Sequence, residues 1–208
     1  MNIRYLLAII LTVFCLSACK KDPVPAIENP KEETPDGVDL PNVSYKLINR
    51  KLHASHPSAM NLDVNEDGII DLSYFMQYVV LGGHVNLYIG VNPVFGSATR
   101  ASEHDNNEFL NMGTIHSITL KTVVKEELDW TEDHAMLANR REAPNGTKTY
   151  LGNWGDGQQK FMALRLRVHG KLHYGWAQLK FNKETEELIL IDVAWNTNAE
   201  QEIPVGAK

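Results

Sequence analysis

Cysteine is nearly absent: the 208 residues hold two, Cys15 and Cys19, both within the first nineteen positions. No disulfide framework can therefore form in the rest of the chain, and an exported domain without bridges has to rely on an apolar core or a bound metal. Long apolar runs are missing as well. The longest is Leu6 to Leu16, eleven residues including Thr12, whereas a helix needs about 20 to cross the hydrocarbon of a bilayer. Positive charge is also in short supply, with a net charge of −6, which argues against nucleic acid and anionic membrane surface as partners. No internal repeat is apparent, which argues against a solenoid or a full propeller. Nor is there a G-x-S-x-G elbow, since Gly96-Ser97 lacks the flanking residues. His53, His56, His169 and His173 have no accompanying cysteine or His-Glu pattern, so they read as surface histidines rather than transition-metal ligands.

What is present starts at the first residues. Arg4 precedes the apolar run, which ends in Leu16-Ser17-Ala18-Cys19, the layout of a secretion signal with small residues before its cleavage point. The ending resembles the lipobox of bacterial lipoproteins. That resemblance implies that residues 1–18 are a signal peptide, that the Cys19 thiol is acylated, and that cleavage makes Cys19 the first mature residue. Stable anchoring takes two or more acyl chains, so the membrane would be a partner through lipid at the N-terminus. The expected location is the cell envelope, at the outer membrane or cell surface. Losing residues 1–18 removes Arg4 as the one charged residue and leaves 19 basic against 26 acidic side chains, a net of −7.

Residues 19–42 read as the lipidated cysteine followed by a tether. Pro23, Pro25, Pro30, Pro35 and Pro41 are interspersed with Glu28, Glu32, Glu33, Asp36 and Asp39, and a segment with so little to bury is expected to be disordered and solvated. From Val43 the remaining 43–208 suit one domain. Its dominant period is two. Met162, Leu164, Leu166 and Val168 alternate with Ala163, Arg165 and Arg167, as in a strand with one buried face. Leu172 to Phe181 follows a His169-Gly170-Lys171 turn, which makes the pair a hairpin. In Leu188 to Trp195 the pattern places Ile189, Ile191, Val193 and Trp195 on one face and Asp192 on the other. Further strands are expected over Tyr45 to Leu52, Leu72 to Val80, His84 to Val91 and Ile115 to Val124. The fold class is thus all-β, a single antiparallel sandwich-like domain. Lys125 to Glu142 stands apart, and its charge and its Ala135-Met136-Leu137-Ala138 centre fit either a short helix or a long surface loop.

The chemical centre of the sequence is the acidic loop Asp63-Val-Asn65-Glu-Asp67-Gly68-Ile-Ile-Asp71. Calcium (Ca2+) takes six to eight oxygens, and carboxylates or amides at alternate positions of a tight turn can converge on it. Asp63, Asn65 and Asp67 are spaced as the first, third and fifth ligands. Gly68 allows the turn, Ile69 offers a backbone carbonyl, and Asp71 is ninth. The twelfth position of an EF-hand needs an acid but holds Tyr74, and a strand rather than a helix follows. The spacing instead resembles the D-x-N-x-D-G-x-x-D loops of integrin-type propeller repeats and the shorter calcium loops of exported bacterial proteins. The competing reading is an Asx-rich turn without metal.

A wider resemblance runs through the domain. The acidic loop, Gly152-Asn-Trp154-Gly155-Asp-Gly157, Phe161 to Arg167, His173-Tyr174-Gly175-Trp176 and Ile191 to Trp195 together look like a diffuse group of exported bacterial β proteins. Many of that group carry C-terminal sorting tails; this sequence ends without such a tail, at Ile203 to Lys208. The likeness implies one β domain and no particular activity, with Gly175 at a bulge or close backbone approach.

Aromatic faces suit sugar rings, so Trp130, Trp154, Trp176 and Trp195 are candidates for a glycan platform. Trp176 and Trp195 lie on expected strands and read as packing residues. Trp154, set among glycines, is the one expected to be exposed and to bind a glycan or protein ligand. Glu126, Glu127, Asp129 and Asp133 supply the acids that glycoside cleavage would need, although a charge run is more usually a solvated face. The leading expectation is a non-catalytic envelope lipoprotein with a calcium-stabilised domain in a binding or structural role. The alternative is an envelope hydrolase acting on glycan or peptidoglycan.

Overall fold

The computed structural model describes residues 39–55, 59–102 and 110–208. Cys19 and all of the expected tether before Asp39 lie outside them, as does His56. The described chain is all-β, in the order β1 (Val43–His53), β2 (Met60–Leu62), β3 (Leu72–Leu81), β4 (His84–Pro93), β5 (Ala98–Arg100), β6 (Gly113–Thr114), β7 (Ser117–Ile118), β8 (Val123–Val124), β9 (Trp130–Thr131), β10 (Ala135–Glu142), β11 (Lys148–Leu151), β12 (Lys160–Val168), β13 (Lys171–Asn182), β14 (Glu187–Asn196) and β15 (Ile203–Pro204). One sheet runs β1-β14-β13-β12-β5-β9, with β7 also on β12; the second runs β11-β10-β4-β3-β2, with β6 on β10. Pairing is antiparallel throughout except for β6 on β10, which is parallel.

The main core lies between these sheets. Met162, Leu164, Leu166 and Val168 enter it from β12, Leu72, Tyr74 and Met76 from β3, and Leu87, Ile89 and Val91 from β4, each set spaced by two as residues that share one face of a strand are. A second core covers the other face of the larger sheet. There Phe161, Ala163, Tyr174, Trp176 and Ala194 pack under Ile203, Val205 and Ala207. Tyr88 and Met136 form a small third cluster on the outer face of the second sheet.

Three expectations are corrected. Lys125 to Glu142 is neither helix nor loop alone, because Ala135 to Glu142 is strand β10, held between β4 and β11. Its first six residues are all buried, since both of its faces are covered and an uninterrupted apolar run results. Ile115 to Val124 is not one strand but the short pieces β7 and β8, with the bridge Ala101 to Ile115 ahead of them. The break is a turn in which Thr122 N–H donates to Thr119 O and Lys121 takes φ 68°. In β14 the register against β13 slips between Gln178 and Leu179, which leaves Ile191 as an extra residue. A one-residue bulge reverses the facing of all that follows. The main core accordingly takes Leu188 and Leu190 before the bulge and Val193 and Trp195 after it.

Candidate calcium loop and surface clefts

The acidic loop joins β2 to β3, and a strand follows it as the sequence indicates. Gly68 has φ 87° with nothing near its missing side chain, so glycine is there for the backbone turn alone. Asp63 Oδ2 accepts from Gly68 N–H at 2.8 Å. Asp67 Oδ1 accepts from Ile69 N–H at 2.8 Å and its Oδ2 from the Asn65 amide at 2.8 Å. Asp71 points inward. It is 5% exposed, with Val64 N–H donating to Oδ2 at 2.8 Å and Ser97 Oγ to Oδ1 at 3.2 Å. Burial raises the Asp71 carboxyl above its usual value, the two hydrogen bonds oppose the shift, and the negative charges of Asp63 and Asp67 add to it. Asp67, fully exposed, is lowered by its bonds from Asn65 and Ile69, with a smaller effect of His169.

The loop's polar atoms bear on whether calcium fits. Asp63 Oδ1 is enclosed and has no hydrogen-bond partner, an arrangement that costs free energy unless something else meets the oxygen. Among the described residues no three acid, histidine or cysteine side chains form a ready metal cluster. A cation would therefore also draw on the neutral oxygens of Asn65 and Ile69. The bonded carboxylate oxygens each keep a second lone pair beyond the bond they accept, and Asp63 Oδ1 accepts none.

Trp154 is not exposed. It is 0% accessible and belongs to the main core, where its Nε1 donates to Leu179 O at 3.2 Å and its backbone N–H to Leu137 O at 3.1 Å. The neighbouring glycines serve that burial. A Cβ on Gly152 would lie 2.6 Å from Leu137 O and one on Gly155 2.7 Å from Leu151 O, so only glycine lets the turn press against β10 and plug the indole inward. Gly175 does mark a close approach, with a Cβ there falling 2.5 Å from Ala194 O. Trp176 is buried as expected, whereas Trp195 is only partly buried.

Several depressions collect polar side chains. The first, of about 540 Å³, is lined by His116, Asp129, Trp130, Asp133 and His134. It gathers two of the acids that the sequence offers for hydrolysis, together with two histidines that sequence reasoning passed over because they lie on separate short segments. Burial, with help from Arg100, pulls the His116 imidazole below its usual value, and Asp129 works in the opposite direction. Glu126 and Glu127 line a separate depression of about 300 Å³ beside Glu200 and Glu202, where Glu126 accepts a short hydrogen bond from Tyr174. A further depression, of about 700 Å³, lies between the acidic loop and the β12–β13 turn, with Asn65, Asp67, His169 and Trp195 among its walls. Comparison with protein-family models, curated proteins and solved structures finds no match.

Proposed function

We propose that the chain is an exported lipoprotein of the cell envelope, anchored through Cys19, whose β domain is a calcium-stabilised, non-catalytic binding or structural module. The observation that carries the calcium part is the enclosed, unpartnered Asp63 Oδ1, beside a buried Asp71 that already senses the charges of Asp63 and Asp67. A divalent cation would meet that oxygen and offset the repulsion. Asp63, Asn65, Asp67, the Ile69 carbonyl and Asp71 would be its protein ligands. Because calcium would bind the folded form alone, at about a hundred times its Kd it would add roughly 2.7 kcal/mol, which for a domain of this size is about 5–10 °C. Melting in millimolar calcium against EGTA tests this, and equal melting temperatures would remove the metal. Globomycin tests the anchor: the uncleaved precursor should accumulate, and an unaffected size would remove Cys19 lipidation.

The hydrolase reading has one observation in its favour, namely that Asp129 and Asp133 line the same open depression as His116 and His134. Reducing ends released from peptidoglycan sacculi, and lost in both Asp129→Asn and Asp133→Asn, would install it over the binding module.

A further inference from the structure

The four tryptophans have distinct surroundings. Trp154 and Trp176 are enclosed. Trp130 is clamped: Tyr174 stacks on it at 6.1 Å, the Arg165 guanidinium lies 5.4 Å from its ring centre, and its Nε1 donates to the Lys125 and Glu126 carbonyls. Trp195 alone is both half-buried and placed between two depressions, the 700 Å³ groove and a smaller one of about 230 Å³ bordered by Tyr45 and Glu66.

We propose that the groove between the Asp63–Asp71 loop and the β12–β13 turn is a saccharide-binding site with Trp195 as its stacking floor. The proposal rests on the binding-module reading and names its ligand class. Trp195 is held before any ligand arrives. Gly175 stands directly opposite it in the sheet and leaves the space beside its Cβ, since a side chain there would begin 3.1 Å away. On the neighbouring position of the same face, His173 meets the indole edge-on at 5.2 Å and 70°. The His173 ring is itself fixed by a 2.9 Å hydrogen bond between Nδ1 and Asn196 O. The indole Nε1 has no protein acceptor, so packing sets its orientation. Such prior ordering lowers the entropy lost on binding.

The rim supplies what hydroxyl-rich ligands need. Asn198 and His169 offer planar polar groups that can donate and accept at sugar hydroxyls, and both line the groove. Among the described residues, those of fixed charge in the groove are Asp67 and Lys171, one of each sign, which matches an uncharged sugar better than a phosphorylated or polyanionic one. An aromatic floor with a few convergent polar groups is the usual make-up of such a site.

The full chain, purified in detergent with calcium present, would be titrated with cello-, malto- and chitohexaose and followed by calorimetry and tryptophan fluorescence. At least one hexaose should bind saturably. Trp195→Ala should weaken it about tenfold or more, equal to about 1.4 kcal/mol, while Trp195→Phe stays within about threefold because a ring remains to stack. If Trp195→Ala does not fold, Asn198→Ala is the deciding variant and should weaken binding measurably at an unchanged melting temperature. Failure of all three sugars to bind, or full affinity in the folded variants, overturns the proposal. Binding lost instead in Asp133→Asn places the ligand in the other depression, which overturns the Trp195 site but leaves the binding module standing. The calcium and anchor readings are decided separately by melting and by globomycin.

Discussion

Asp192 sits where the fold tolerates a carboxylate least. It is 1% exposed on the face of β14 that packs under the second core, where Tyr45 Oη donates to Oδ2 at 3.0 Å and Oδ1 has no partner. Burial raises its pKa, with Tyr45 and the charge of Lys208 opposing; Tyr45 in turn is pushed up to about 12 by burial and by Asp192. A carboxyl whose pKa is higher folded than unfolded holds its proton more tightly in the native state, so its contribution to stability falls as pH rises. The fall begins near the unfolded value of 3.8 and levels off above the raised folded value. Acids such as Glu187, lowered by a hydrogen bond from Thr185 and then by Lys51, act in the opposite sense, so the total curve hides Asp192. Asp192→Asn removes only its share. The difference in urea midpoint between variant and parent should shift towards the variant as pH climbs from 4 upwards, and a constant difference would show that Asp192 does not titrate in this range.

At the scale of elements, what the sequence discloses depends on how many faces a strand buries. In β12 one face takes Met162, Leu164, Leu166 and Val168 into the main core, while the other buries Phe161 and Ala163 and then turns to Arg165 and Arg167, so alternation was readable in its second half. In β10 both faces are covered, and Ala135 to Ala138 shows no alternation to separate a strand from a buried helical turn. The bulge at Ile191 left no mark in residue types, so Ile189 and Ile191 could not be kept apart from Val193 and Trp195. For the candidate site, the loop Asp63 to Asp71 was visible because its ligand types are consecutive. The depressions were not, since His116, Asp129 and His134 come together only through short pairings such as Thr99 with Thr131. The glycines around Trp154 misled because the same residue that opens a turn to solvent also permits close approach. Gly90 makes that second role testable in a central strand. A Cβ there would meet Phe75 Cζ at 2.5 Å and the Ala135 carbonyl oxygen of β10 at 2.8 Å. Phe75 can swing aside, but the neighbouring backbone cannot move without disturbing the ladder. Gly90→Ala should therefore cost about 1–3 kcal/mol, seen as a lower urea midpoint at an unchanged slope.

For the whole molecule, the two large sheets do not close the structure by themselves. The larger sheet presents apolar side chains on both faces, and its outer side is covered by the last residues described. Ile203, Val205 and Ala207 are 0%, 2% and 1% exposed and rest on the cluster containing Phe161, Tyr174 and Trp176. Backbone bonds secure them: β15 pairs with β8, Lys121 N–H donates to Val205 O, and Leu40 N–H donates to Lys208 O. Both ends of the domain are thus tied at one place, and β1 begins from that junction. Burial of the Ile203 and Val205 side chains contributes roughly 3–6 kcal/mol, against a total stability of about 5–15 kcal/mol for an ordinary domain. Deleting residues 203–208 should take away most of that margin and uncover Trp176. The expected result is a melting temperature lower by about 10–20 °C, with loss of the near-ultraviolet tryptophan signal before the β-sheet signal. Calcium should raise the melting temperature of the truncated and the full-length chain alike and leave the difference between them unchanged, because the acidic loop is attached to the opposite sheet through β2 and β3 and shares no residue with the uncovered cluster. A truncated chain that melts like the parent would mean that the second core is held by the sheet alone.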